Sequence, residues 1–341
     1  MTENKTSRFP VSRRQILGGV GASLMAPAII GRAFAQAKKV IRISTPASDA
    51  EWQAKGLRKF KELVETAAPD KFEVQVFLNA TLFDQGTEIA AMQRGNLEVG
   101  MISPQDVASF IPEYSIYTAG YLLRDAAHMH AVFDNSDVGA EYRKRVADEL
   151  DVQILGSQYL GTRHVILREL MDIKTPADLK GVKLRVPGSD TWQFLGRALG
   201  ASPTPIAFDE VYLALSTGTV DGLENPIADM LAAKFHEVSK QLVLTAHMVA
   251  PLFFAMSSSF WNGLSDDEKA IISDAVKAQS KLVDEGTLST EANGVQLLEK
   301  NGLTVTTPDL EAFRIHVQKQ FLESDYAKDW PAGLLDRINA L

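Results

Sequence analysis

Between Val40 and Ile102 strand and helix alternate, and this order restricts the chain more than any other feature of it. VIRIST (Val40 to Thr45) and FEVQVFL (Phe72 to Leu78) place apolar residues at every second position, the period of a strand with one buried face. Between them Leu57, Phe60, Leu63 and Val64 recur at helical spacing. A further helix is predicted from Thr87 to Arg94, and LEVGMI (Leu97 to Ile102) supplies a third strand. Strands joined through helices pair in parallel, and such sheets bind ligands beyond the carboxyl ends of their strands. A mostly parallel sheet is therefore expected, and polar residues just past its strand ends are the site candidates.

A second strand-rich region starts at VQILGSQYLG (Val152 to Gly161) and runs through HVILRE, VKLRVPG (Val182 to Gly188) and the helix-like SDTWQFLGRALG. From Leu264 to about residue 300 the pattern is helical, opened by the capping box Ser265-x-x-Glu268. A helix of that length exceeds what one small domain can flank, so it reads as a brace beside two. A chain of 341 residues is long enough for two cores. The expected fold class is α/β with two domains. Domain I takes residues 38–160 with returning segments after about 250, and domain II takes 161–250. The brace takes 264–300, and a C-terminal strand and helix take 301–341.

Residues 1–35 read as an export signal of the twin-arginine type. Arg13 and Arg14 precede an apolar run from Ile16 to Ile30, and Ala33-Phe34-Ala35 offers small residues for cleavage after Ala35 or Ala37. The run carries Gly18, Gly19, Gly21 and Pro27 and is short for a bilayer span, so a periplasmic product is expected rather than an anchored one. Beyond residue 35 the chain holds 30 basic and 42 acidic residues, a net charge of −12, which argues against a nucleic-acid partner. Any cation aimed at a small anion is then a local feature. The absence of cysteine excludes disulfides, iron–sulfur ligation and a thiol nucleophile.

Beyond the signal no serine elbow, HExxH or nucleotide-binding glycine motif occurs, so neither an enzyme nor a cofactor is expected. His128 and His130 stand two apart on a predicted helix, point away from each other, and read as a solvated pair rather than metal ligands. His164, His236, His247 and His316 form no metal or nucleophile pattern.

Three polar residues sit at predicted strand ends: Arg163 in YLGTRHV, Arg185 in VKLRVPG and Asn225 in VDGLENP. A guanidinium fork suits a carboxylate through two parallel charge-assisted hydrogen bonds, and an amide adds a further donor. The competing reading makes the arginines salt-bridge partners and Asn225 a turn residue before Pro226. Phe208 and Trp52 offer rings that spacing alone leaves undecided between core and ligand. Thr45, Trp52, Gln85 and Ser103 lie at strand ends or helix starts of the first domain, where they would line the opposite wall.

The blocks GTRHV and ADLKGVKLRVPGSDTWQFLGRALGASPTPIAFDEVYLALSTGTVDGLENP, with KGLRKFKELVE, LFDQGTEIAAMQRGNLEVG and WNGLSDDEKAII, resemble the DctP family. These are solute-binding proteins of tripartite ATP-independent periplasmic (TRAP) transporters, and the wording is nearest to their sialic-acid-binding members. The resemblance implies two α/β domains that close about a hinge, with a long helix spanning both. It implies a small organic acid as ligand and a pair of integral membrane subunits, one small and one large, as partners. It makes Arg185 the carboxylate clamp, helped by Arg163 and Asn225, with Phe208 packing on the ligand. The sequence departs from the sialic-acid binders at Gly188, where they carry asparagine, and at Ser103 and Asp106, where they carry a glutamate and an arginine. A metal-using branch has Glu-Trp where this chain reads Glu224-Asn225, so metal-free binding is expected. The other functions weighed are a ligand-presenting sensor partner and an enzyme exported folded by the twin-arginine route.

Overall fold

The computed structural model describes residues 37–341; the expected export signal lies outside the described residues. The first half runs β1 (Lys39–Ser44), α1 (Trp52–Ala67), β2 (Phe72–Phe77), α2 (Glu88–Gln93), β3 (Val99–Ile102), α3 (Pro104–Ala108), α4 (Ala126–Phe133) and α5 (Asp137–Leu150). β4 (Val152–Leu167) leads into the second half, which holds β5 (Lys183–Val186), α6 (Asp190–Ala198), β6 (Ser202–Pro205), α7 (Val211–Thr217), β7 (Gly222–Pro226) and α8 (Ile227–Ala232). β8 (Gln241–Ser257) returns, followed by α9 (Ser258–Asn262), α10 (Asp266–Lys300), β9 (Thr304–Thr306) and α11 (Leu310–Leu322).

One sheet threads the whole unit in the order β2-β1-β3-β8-β4-β7-β5-β6, with β9 beside β8. Its two ends are parallel, as the β-α-β alternation requires: β1 pairs with β2 and β3, and β5 pairs with β6 and β7. Its centre is not. β8 is antiparallel to both β3 and β4, and β4 to β7, so the expected parallel pairing holds for five of the eight strand pairs among the described residues and gives way to antiparallel pairing along the two long central strands. VQILGSQYLG and HVILRE fuse into the single 16-residue β4, and β8 has 17 residues. Both strands run through the two halves, so the halves share backbone hydrogen bonds.

The apolar residues divide accordingly. On α1 the spacing of Leu57, Phe60 and Val64 puts all three out of contact with water, with the Phe60 ring 4.8 Å from that of Phe254 on β8. Each such side chain contributes roughly 1.5–3 kcal/mol through burial. This core also holds Ile272, Ala275 and Val276 of α10. Leu298, near the other end of α10, belongs to the core formed by Ile166, Leu223, Ile227 and Leu242 in the second half. At 35 residues α10 is about 50 Å long, enough to brace both cores. Its capping box forms as the sequence suggests, with the Glu268 N–H donating to Ser265 Oγ at 3.3 Å and the Ser265 N–H to Glu268 Oε2 at 2.8 Å. Glycine lets α1 approach it closely: a Cβ on Gly286 would stand 2.2 Å from the Trp52 ring.

The acids of α10 grip β4 where that strand changes register. Asp284 Oδ1 accepts the Tyr159 N–H at 2.6 Å, Glu291 Oε1 accepts the Thr162 N–H at 2.6 Å, and the bulge between Tyr159 and Gly161 lies between them. His130 joins this contact by bridging Asp134 at 2.7 Å and Asp284 at 3.0 Å. The two carboxylates raise its pKa to about 9, so it is a cation in the folded protein at neutral pH. His128 is buried, its Nε2 2.9 Å from the Ile338 carbonyl oxygen. The solvated pair expected from spacing is thus corrected. His128 is covered and His130 is paired by residues far away in sequence, Ile338 and Asp284, which a local pattern cannot reveal.

Candidate functional site

A cleft of about 740 Å³, counting the space open to solvent, lies where β4 and β8 cross between the halves, and Leu160, Ala250, Pro251 and Leu252 line it there. Arg163, Arg185, Asn225, Phe208, Gln85 and Ser103 all line it.

Arg185 stands on β5, which is held between β6 and β7 in parallel register, and the chain leaves the strand at Pro187. Its side chain is 1% exposed. Nε donates to the Ile206 carbonyl at 2.8 Å and Nη2 to Gln85 Oε1 at 3.2 Å. No carboxylate pairs with it directly among the described residues. Burial pushes its pKa down to about 9; Glu224 and Asp209 work in the opposite direction, and Arg163 adds to the fall. A guanidinium keeps its proton at ordinary pH. The shift therefore expresses a buried positive charge whose surroundings do not neutralise it.

Arg163 is occupied. Nε and Nη2 fork onto the carboxylate of Glu224, with Nη2 to Oε1 at 2.8 Å, and Nη2 also reaches the Glu224 carbonyl oxygen at 3.0 Å. Glu224 has no exposed surface and also meets His247 Nε2 at 3.2 Å. Burial would raise the Glu224 pKa, but the charge of Arg163 and the hydrogen bonds from His247 and Arg163 outweigh it, so the net shift is downward. The face of Arg163 packs on the Trp192 ring, 4.6 Å from its centroid.

The remaining hydrogen bond of Arg163 sets the site's polarity. Nη2 donates to Asn225 Oδ1 at 2.8 Å, which fixes the amide with its Nδ2 turned the other way. Asn225 is 3% exposed, and its Nδ2 has no hydrogen-bond partner among the described residues. An unpaired buried donor costs about 1–3 kcal/mol. Asn225 lines the cleft together with the unneutralised Arg185.

Gln85, on the loop between β2 and α2, crosses from the first half. Its Oε1 accepts from Arg185 Nη2 and, at 3.1 Å, from the Phe208 N–H. The Phe208 ring lies 5.8 Å from the Arg185 guanidinium. Ser103 caps α3: its N–H and Oγ both donate to Asp106 Oδ2 at 2.8 Å, so it presents the Asp106 carboxyl.

Two expected residues stand elsewhere. Trp52 does not line the cleft: its ring packs on α10 and its Nε1 donates to Thr290 Oγ1 at 2.8 Å. Thr45 is buried behind the wall and donates to Gln53 Oε1 at 2.7 Å. Both lie near a strand end, but side-chain direction takes them away from it. Gly188 also lies outside the lining, which Pro187 forms in its place. Sequence reading missed Gln53, Trp192, Glu51, Glu88 and Asp229 as lining residues. Trp192 was within reach of it, since it follows an N-cap serine shortly after a strand end.

Two α/β halves on a shared sheet, with Arg163, Arg185 and Asn225 lining a cleft between them, have the layout of a two-lobed binding protein. Residues 43–328 match the family model described as bacterial extracellular solute-binding protein, family 7 (DctP), and the chain belongs to that family. It is 31% identical over 294 residues to a sialic acid-binding periplasmic protein of Vibrio cholerae, covering 86% of this chain and 90% of the relative. A TRAP periplasmic solute-binding protein of Roseobacter denitrificans, solved with bound 3-deoxy-D-manno-oct-2-ulosonic acid, superposes with a TM-score of 0.86 at 43% identity, over 89% of this chain and 99% of that one. One from a Polaromonas species, bound to D-erythronate, gives a TM-score of 0.82 at 28% identity, over 89% and 99%.

Proposed function

We propose that this chain is the periplasmic solute-binding subunit of a TRAP transporter, that its cleft holds a small organic acid by the carboxylate, and that it hands the acid to the small and large membrane subunits. The observation that carries the reading is the pairing of Arg185, buried and unneutralised, with the unpartnered Nδ2 of Asn225 in one cleft. Arg163 acts mainly through Asn225, whose orientation it sets. The relatives support the ligand class, since those solved with 3-deoxy-D-manno-oct-2-ulosonic acid and D-erythronate hold carboxylic acids. Binding is metal-free on this reading, because both oxygens of Glu224 are already taken by Arg163 and His247. Export by the twin-arginine route and a binding rather than catalytic role complete the assignment.

The hinge on this reading is where β4 and β8 cross, at Gly161 and Ala250, which pair in register. Residues 38–160 and 161–250 then move as the two domains, and Gln85 ties them on the cleft side. A ligand touching both walls favours closure by its differential affinity for the closed state. Thermal-shift measurements on sugar acids of four to nine carbons, each beside its methyl ester, test the proposal. At least one acid is expected to stabilise the protein, by about 2.7 kcal/mol at a hundred times its Kd, and its ester is expected to have no effect. An ester as effective as its acid, or no response to any acid, would contradict it.

A further inference from the structure

Of the charged side chains lining the cleft, four are carboxyls, Glu51, Glu88, Asp106 and Asp229, and two are guanidiniums, of which Arg163 is already paired with Glu224. We infer that the ligand carries one carboxylate and no second charge, and that its far end is a chain of hydroxyls read by these four carboxyl groups. This deepens the acid-capture reading and rests on it.

The four groups are built into the wall. Glu51, Glu88 and Asp229 are 4%, 2% and 6% exposed. Glu51 Oε1 accepts the Ser48 N–H at 2.7 Å, Glu88 Oε2 the Gly86 N–H at 2.7 Å, and Asp106 Oδ2 the Ser103 N–H at 2.8 Å. In each case the second oxygen makes no hydrogen bond among the described residues, and Asp229 makes none with either oxygen. Three of these groups come from the first half and Asp229 from the second, so a ligand engaging all of them touches both walls.

Charge decides what that ligand can be. Its carboxylate neutralises Arg185, and a second anionic group would then be buried with no free cation in the lining to receive it, which costs several kcal/mol in lost hydration. A terminal ammonium would need ionised carboxylates. Burial holds Glu88 up to about 8, with the charge of Asp106 adding to the shift, and burial holds Glu51 up to about 7. The Asp229 carboxyl is raised as well, by burial first and then by Glu51. Protonated carboxyls both donate and accept, as hydroxyl groups do.

The test is calorimetric titration of the full exported chain with four-carbon to nine-carbon polyhydroxy monocarboxylates, including D-gluconate and 3-deoxy-D-manno-oct-2-ulosonate. Three six-carbon probes accompany them: hexanoate, adipate and 6-aminohexanoate. The best polyhydroxy acid is expected to bind at least about tenfold tighter than any of the three, and Asp106→Asn is expected to narrow its advantage over adipate. Adipate or 6-aminohexanoate matching the best polyhydroxy acid would overturn the inference and leave the acid-capture reading intact. A tie with hexanoate would do the same, since hydroxyls would then contribute nothing. No binding by any acid would overturn both. The wild-type panel decides the matter even where the variant does not fold.

Discussion

Arg185→Ala is expected to abolish acid binding and spare the fold, whereas Arg163→Ala is expected to destabilise the fold. The two guanidiniums line one cleft, and what separates them is where their charge goes. Arg185 has no carboxylate partner among the described residues, and its hydrogen bonds go to the Ile206 carbonyl and Gln85. Removing it discards two neutral acceptors' partners but also the cost of a buried, unneutralised charge. Stability measured by urea unfolding should therefore change by no more than about 1 kcal/mol. Affinity for the acid should fall by at least about a hundredfold, because a charge-assisted fork onto the ligand is lost. Arg163→Ala instead strands Glu224, which has no exposed surface, with His247 as its remaining side-chain partner. Breaking a buried pair from one side costs roughly 3–5 kcal/mol. Equal stability losses in the two variants would show that Arg185 is structural.

The second large effect concerns pH. In the unfolded chain Glu88 titrates near 4.5, and in the folded protein it stays protonated up to about 8, through burial first and the Asp106 charge second. The unfolded state therefore releases a proton between these values while the folded state keeps it, so this group makes the wild-type protein less stable as pH rises from 4.5 to 8. Glu88→Gln keeps an oxygen to accept the Gly86 N–H and cannot ionise. The variant should exceed wild type by on the order of 4 kcal/mol at pH 8, with the difference closing towards pH 4.5. Urea unfolding across that range measures it, and a difference independent of pH would contradict the placement of the carboxyl.

Both experiments rest on features that were unequally visible in the sequence. The β-α-β opening, the α10 brace and its capping box were legible because each is a local period or a three-residue spacing. β8 was not, since QLVLTAHMVAPLFFAMS is apolar nearly throughout and shows no alternation, as befits a strand buried on both faces. Arg185 could be found from its place at a strand end. The division of labour between Arg185 and Arg163 could not, because it depends on Glu224 and His247, which β7 and β8 bring beside β4. Nothing local in the sequence marks Glu51, Glu88 or Asp229; only tertiary packing buries them. Trp52 and Thr45 show the opposite error, since nearness to a strand end does not fix where a side chain points.

The central claim is that the cleft retains an acid through Arg185 and Asn225. Its most direct test is mass spectrometry of small molecules released by denaturing the protein after purification from periplasm, with wild type and Arg185→Ala prepared in parallel. The account predicts a polyhydroxy monocarboxylic acid released stoichiometrically from wild type and missing from the variant. A neutral or cationic compound, or the same acid in equal amount from both, would contradict it.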